Sequence, residues 1–347
     1  MWPGDMVENK SINLLKGIAC LIVVLLHCPF PGIVGDAIIY GIRFSVPIFF
    51  MITGYFSYEK NEFWMIRQIK KTLVLIVKGE IFCGIAFVII KLIRGTFSVI
   101  DWIKSTEIIK HPIRILFLGS VCNGTLWYLY ALLWTLVILY LIEKYFANMK
   151  FLYYCIPILM SIHIIGRVIV QNIGDINKMV FLFRSAILFG VPFVLFGRWI
   201  AEYEIILKTH LNAIRCILLF ILGIVMEVAE FILYHQYMDL HFSTIIISFA
   251  LFWWACIHPS EDYLPLLRVF GKRYSMWVYL MHVPCLLIID AVTEDIDIGK
   301  MHLLWDWMKP IIVIMMSLGM SIGIERMEKR RKNAMLFKNE VINKWLR

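Results

Sequence analysis

Long apolar runs separated by short polar ones dominate the chain, and no stretch shows the alternation of a half-buried strand. The runs predict membrane-spanning helices over 12–30, 37–57, 72–91, 124–143, 151–168, 181–200, 213–234, 242–257, 274–292 and 308–325. Each approaches the ~20 residues that cross a hydrocarbon core. The expected fold is all-α: a polytopic integral membrane protein of about ten transmembrane helices. The missing alternation argues against an outer-membrane barrel. A membrane domain over 1–325 is expected, followed by a tail over 326–347, "RMEKRRKNAMLFKNEVINKWLR". The mixture of basic and apolar residues reads as an amphipathic helix on a membrane surface.

Composition agrees with that reading. The chain is 61% hydrophobic and 17% charged, against about 25% charged in a soluble domain. A formal charge of +9 raises the question of nucleic acid. The basic residues, however, sit mostly in short clusters between apolar runs and in the tail, as cytoplasmic loops facing anionic headgroups do. No nucleic-acid partner is expected; the lipid bilayer is. The same bias puts both termini in the cytoplasm, and the first apolar run is expected to be retained. The long segment 91–123 is read as an outer loop with room for an interfacial helix. No phosphate loop of Walker type is present, which speaks against an ATP-driven pump. The eight cysteines form no CxxC pair, so neither a metal site nor a disulfide framework is expected.

Charge inside a membrane helix costs roughly 2.5–3.5 kcal/mol, so each case asks for a reason. In "INLLKGIACLIVVLLHCPFPG", Lys16 and His27 are eleven residues apart. At about 100° and 1.5 Å per residue they share one helix face, about 16.5 Å apart. Lys16 has a plain alternative role as an anchor snorkelling to the inner surface. In "YGIRFSVPIFFMITGYF", Arg43 lies inside the second span, and Pro47 four residues on disturbs the helix at that carbonyl. Asn123, Trp127 and Tyr128 open span four, and Arg184 lies early in span six. Glu227 and Glu230 lie on one face near the end of span seven. All of these belong to the outer level and together outline a polar chamber. On the cytoplasmic side, Arg67 and Lys70 form a basic pair at i, i+3. Lys78 and Glu80 lie in mid-span three, facing unspecified neighbours. Ser275, Tyr279 and His282 share span nine, with His282 near the bilayer centre.

The stretches "VVLLHCPFPG", "RFSVPIFFMITGYF", "LWYLYALLW", "RSAILFGVPFVLFGRWI" and "GKRYSMWVYLMHVP" together resemble the integral-membrane acyltransferase family 3, over nearly the whole chain. The resemblance implies a ten-helix membrane fold and O-acylation of extracytoplasmic sugars, with acetyl-CoA as acyl donor and no metal. His27 matches the histidine of the family's first-helix pattern, in which an arginine precedes it by eleven; Lys16 stands at that arginine. Arg43 matches the second-helix arginine, and Arg67 with Lys70 stands for a basic Arg-x-x-Arg pair. The lysine-bearing form is also similar to the membrane half of serine racemase-type resistance proteins, for which amino-acid transport has been proposed. The chain lacks the racemase and esterase-like domains of some relatives, so it is expected to act alone or through partners.

These readings combine into an expected mechanism. Arg67, Lys70 and Lys16 bind the cofactor's phosphates from the cytoplasm. His27 acts as general base or acyl carrier, Arg43 stabilises negative charge, and Glu227 or Glu230 orients the imidazole. Trp127, Tyr128, Arg184 and His282 line the place of the substrate, a cell-envelope glycan outside the cytoplasmic membrane of a bacterium. The rival reading is a small-solute transporter or permease, which intramembrane charge also suits. A third is a membrane scaffold or sensor.

Overall fold

A computed structural model of the protein describes residues 8–95, 98, 124–146, 150–173, 182–234, 238–293 and 302–345. Among them every regular element is helical. The chain order is α1 (Lys10–His27), α2 (Gly32–Gly41), α3 (Ser45–Ser57), α4 (Glu62–Ile93), α5 (Trp127–Tyr145), α6 (Cys155–Ile173), α7 (Ala186–Glu202), α8 (Glu204–His210), α9 (Ala213–Tyr234), α10 (Phe242–Ile257), α11 (Pro265–Arg273), α12 (Ser275–Thr293) and α13 (His302–Trp345).

Eight segments are long and apolar enough to cross a membrane. The predicted sixth span is a bent pair: α7 and α8 meet at 76° around Tyr203 and count as a ninth only if taken together. The predicted eighth, α10, has 16 residues, short for the hydrocarbon core at 1.5 Å per residue. The second is not one helix either. It breaks between Gly41 and Ser45, and Arg43 lies in the break. Pro47 offers no N–H to the Arg43 carbonyl, so the helix restarts just beyond that residue. The tail is continuous with the last span: α13 runs unbroken to Trp345. Asn123 and most of the segment read above as an outer loop lie outside the described residues.

Stripes of exposed apolar side chains mark the lipid-facing surfaces. Val74, Val77, Ile81, Ile85 and Ile89 run along α4, and Leu218, Leu222, Val225, Val228 and Ile232 along α9. Their spacing of three to four residues is that of one helix face. α1 is the opposite case. It packs against α2, α3, α10, α11, α12 and α13, and Ser11, Asn13, Cys20 and Val24 are buried. Asn9 caps its first turn by accepting from the Ile12 N–H at 2.8 Å, a contact whose removal costs about 1 kcal/mol.

Close backbone approaches hold the bundle. A Cβ on Gly197 would lie 1.9 Å from the Met51 carbonyl oxygen, and one on Gly54 equally close to that of Val194. α3 and α7 thus cross on two glycines, as small residues allow in membrane helix pairs. α11 approaches α1 similarly, through Gly271 at the Asn13 carbonyl. At that end Glu8 accepts from Lys272 at 2.6 Å and from Asn13 at 3.0 Å. The Lys272 contact holds the Glu8 carboxyl below its ordinary range.

The partners of the mid-span charges are now visible. Lys78 pairs with Glu328 of α13 at 3.1 Å and lies over the Trp277 ring. Glu80 accepts from the Tyr130 phenol at 3.2 Å.

Candidate active site

His27 is the last residue of α1, an exposed position at that end of the helix. The ring of His282, on α12, lies 5.4 Å away between centroids and is tilted by 33°. His282 is fully buried. Its Nδ1 lies 2.6 Å from the Tyr279 carbonyl oxygen. A carbonyl only accepts, so Nδ1 carries the proton and Nε2 keeps a lone pair. That Nε2 has no hydrogen-bond partner among the described residues.

An aromatic wall supports this pair. The Tyr279 phenol donates to the Thr125 carbonyl at 2.8 Å. Tyr128, also buried, meets Tyr279 edge-on at 5.8 Å and Phe50 at 4.8 Å. The Arg184 guanidinium lies over the Trp127 ring at 5.4 Å.

Arg43 and Arg184 both lie within electrostatic reach of His27. Arg184 makes a two-pronged contact with Asp239, at 2.7 and 3.2 Å. Asp239 lies in the loop before α10. Burial alone would raise its carboxyl, but Arg184, followed by Arg43 and Arg167, holds it below its ordinary value of 3.8. A carboxyl depressed by folding contributes stability above its unfolded value and loses it as pH falls through the folded one. The Tm difference between the wild type and Asp239→Asn is therefore expected to stay constant from pH 8 to pH 5. It should narrow only below 3.8; a gap that closes near neutrality would contradict this assignment.

Glu227 and Glu230 are placed differently from the sequence expectation. Glu227 contacts His241 Nδ1 at 3.0 Å. Glu230 accepts from the backbone N–H groups of Phe242 and Ser243 at 3.1 and 3.2 Å, and the Ser243 hydroxyl donates to both carboxylates. They tie α9 to the start of α10, so the carboxylate beside the guanidiniums is Asp239. Three ligand-type atoms of Glu227, Glu230 and His241 do lie within 4.8 Å of one another, the one such group among the described residues.

At the other end of α1, Lys16 is half-buried with its Nζ 5.6 Å from the Phe56 ring centre. Lys71 acts on it electrostatically. Arg67 and Lys70 are exposed on the same turn region of α4. Cys20 sits between the two ends, its thiol 3.1 Å from the Ser275 carbonyl.

Sequence reasoning passed over Asp239, His163, Arg167 and Lys71. His163 and Arg167, at i, i+4 in "HIIGR", were a readable signal, because intramembrane ionisable groups on one face imply a polar interior. Asp239 gave none, since a loop carboxylate is ordinary.

A family model described as an acyltransferase domain matches residues 9–326. No curated protein and no solved structure matches. With nearly all of its membrane helices inside the matched range, the chain belongs to the integral-membrane acyltransferase family 3.

Proposed function

We propose that this membrane acyltransferase moves an acetyl or other short acyl group from cytoplasmic acyl-CoA to a hydroxyl of an extracytoplasmic glycan. The observation that carries the reading is the His27 imidazole at the end of α1, facing His282 and within electrostatic reach of Arg43 and Arg184. Those are the parts acyl transfer needs: a base for the hydroxyl proton and fixed positive charge for the oxyanion.

In this reading the Lys16 end of α1 faces the cytoplasm of a bacterium, as do both termini. Lys16, Arg67 and Lys70, joined by Lys71, hold the phosphates of acyl-CoA. The acyl group reaches His27 along α1. The acceptor hydroxyl gives its proton to His27, its oxygen attacks the thioester carbonyl, and Arg43 stabilises the tetrahedral oxyanion. Collapse breaks the carbon–sulfur bond, and the thiolate takes a proton to leave as CoA. A two-step variant passes the acyl group through a His27 nitrogen. His282 is a positioning residue here: its ring packs against that of His27, 5.4 Å between centroids, and limits how the catalytic imidazole can turn. Trp127 and Tyr128 supply the aromatic face for a sugar.

The test uses protein in liposomes with labelled acetyl-CoA inside and glycans outside. Label on the external glycan is the expected result. Uptake of a small solute with no acyl transfer would favour the transporter reading and overturn this one.

A further inference from the structure

One cationic group beside the site has no part in the transfer chemistry. Arg167, on α6, is 6% exposed, and its Nε and Nη1 atoms have no hydrogen-bond partner among the described residues. Phe183 lies under it, 5.8 Å from the guanidinium carbon to the ring centre. Asp239 is the carboxylate that acts on Arg167. Both Asp239 oxygens, however, are engaged by Arg184. Three guanidiniums, of Arg43, Arg167 and Arg184, thus bear on one carboxylate. Among the described residues the surroundings add no second anion that acts on Arg167: His163, on the same helix face, packs edge-on against Phe183 and Phe189. A buried fork of donors left without acceptors, in excess positive charge, is an incomplete site. What completes it is a planar or tetrahedral oxyanion, which guanidinium binds by two parallel hydrogen bonds.

The position says which molecule brings that oxyanion. Arg184 acts on both Arg167 and His27, so it links the unpaired guanidinium electrostatically to the imidazole of the transfer reading. Arg167 is also remote in sequence and packing from the Lys16 end, where the donor's phosphates bind in the reading above. We infer that the acceptor is anionic: a polyhydroxy compound whose phosphate or carboxylate docks at Arg167 while a nearby hydroxyl meets His27. The inference rests on the acyl-transfer reading for the identity of the ligand as acceptor. The anion site itself does not.

The experiment is thermal unfolding of the purified full chain in detergent, with four probes: glycerol 3-phosphate, glucuronate, glycerol and glucose. The expected result is a rise in Tm with one or both anions and none with their neutral counterparts. The phosphate and carboxylate arms identify the group. Apparent affinity for the effective anion should fall at least tenfold in Arg167→Gln and be retained in Lys71→Gln, which removes charge at the opposite end of α1. No anion-specific shift in the wild type overturns the inference, as does a shift that survives Arg167→Gln or is lost in Lys71→Gln. If Arg167→Gln does not fold, the comparison of anions with neutral probes on the wild type still decides. Because no acyl transfer is needed, this result and that of the liposome assay fail or succeed separately.

Discussion

Replacing His27 by alanine is expected to lower acyl transfer by about 10²–10⁴-fold, the range a positioned general base contributes. Membrane insertion and Tm should hardly change. The reason is where the side chain sits: exposed, on the last residue of α1, with its ring against one neighbouring imidazole. The ring it meets is the buried His282, which keeps its own bond to the Tyr279 carbonyl, and the apolar run that drives insertion lies upstream. The variant also separates the two chemical routes. If His27 carries the acyl group, radiolabel from acetyl-CoA appears on wild-type protein when acceptor is withheld, and is absent from His27→Ala. If His27 is only a base, neither protein is labelled. Transfer at the wild-type rate in His27→Ala would sink both routes.

Gly197→Leu is expected to have the largest structural effect. The α3–α7 crossing has no room for even one carbon at Gly197, because the Met51 carbonyl occupies it at 1.9 Å. A leucine there must force the two backbones apart, and the reciprocal contact of Gly54 with Val194 opens with it. Overpacking of a core commonly costs 1–3 kcal/mol, and backbone clashes belong to the tail above about 4 kcal/mol. The damage would reach the candidate site, because Arg43 lies two residues before α3 and Arg184 two residues before α7. Loss of the monodisperse peak in size-exclusion chromatography, or a Tm drop of about 10 °C or more, is the expected readout. Gly319→Ala is the control: nothing lies within 4 Å of its added carbon, and exchanging a helix glycine for alanine should gain about 0.5–1 kcal/mol. Wild-type behaviour of Gly197→Leu would mean that the two helices are not packed this closely.

The membrane helices were legible because lipid imposes a simple rule: a long apolar run and satisfied backbone. The break at Arg43 was legible too, through Pro47. The bend at Tyr203 was not, since no proline or glycine marks it and the polar residues around it fit an ordinary loop. At the candidate site, His27, Arg43 and Arg184 stand out in the sequence one by one, as charges inside apolar runs. Their partners could not. Asp239 is distant in sequence from Arg184, and its pairing depends on how α7 and α10 are arranged. For Glu227 and Glu230 the helix face was legible and the partners were not: the N–H groups that begin α10 engage Glu230, and His241 and Ser243 complete the pair. Helical periodicity gives the face of a residue and not what the face meets.

The packing of α1 also sets a timetable for biosynthesis. α1 leaves the ribosome before α2 to α13, yet Ser11 hydrogen-bonds the carbonyl of His258, 247 residues later in the chain, and α1 docks on α11 and α12, which come later still. At about 5–20 residues per second, α1 waits roughly 12 to 50 s before those partners exist. During that interval Asn13, Lys16 and His27 have only lipid, headgroups or a chaperone for company. Packing around α1 is thus a late event in synthesis, and a chain truncated before α10 would hold an inserted α1 without the later helices that receive it.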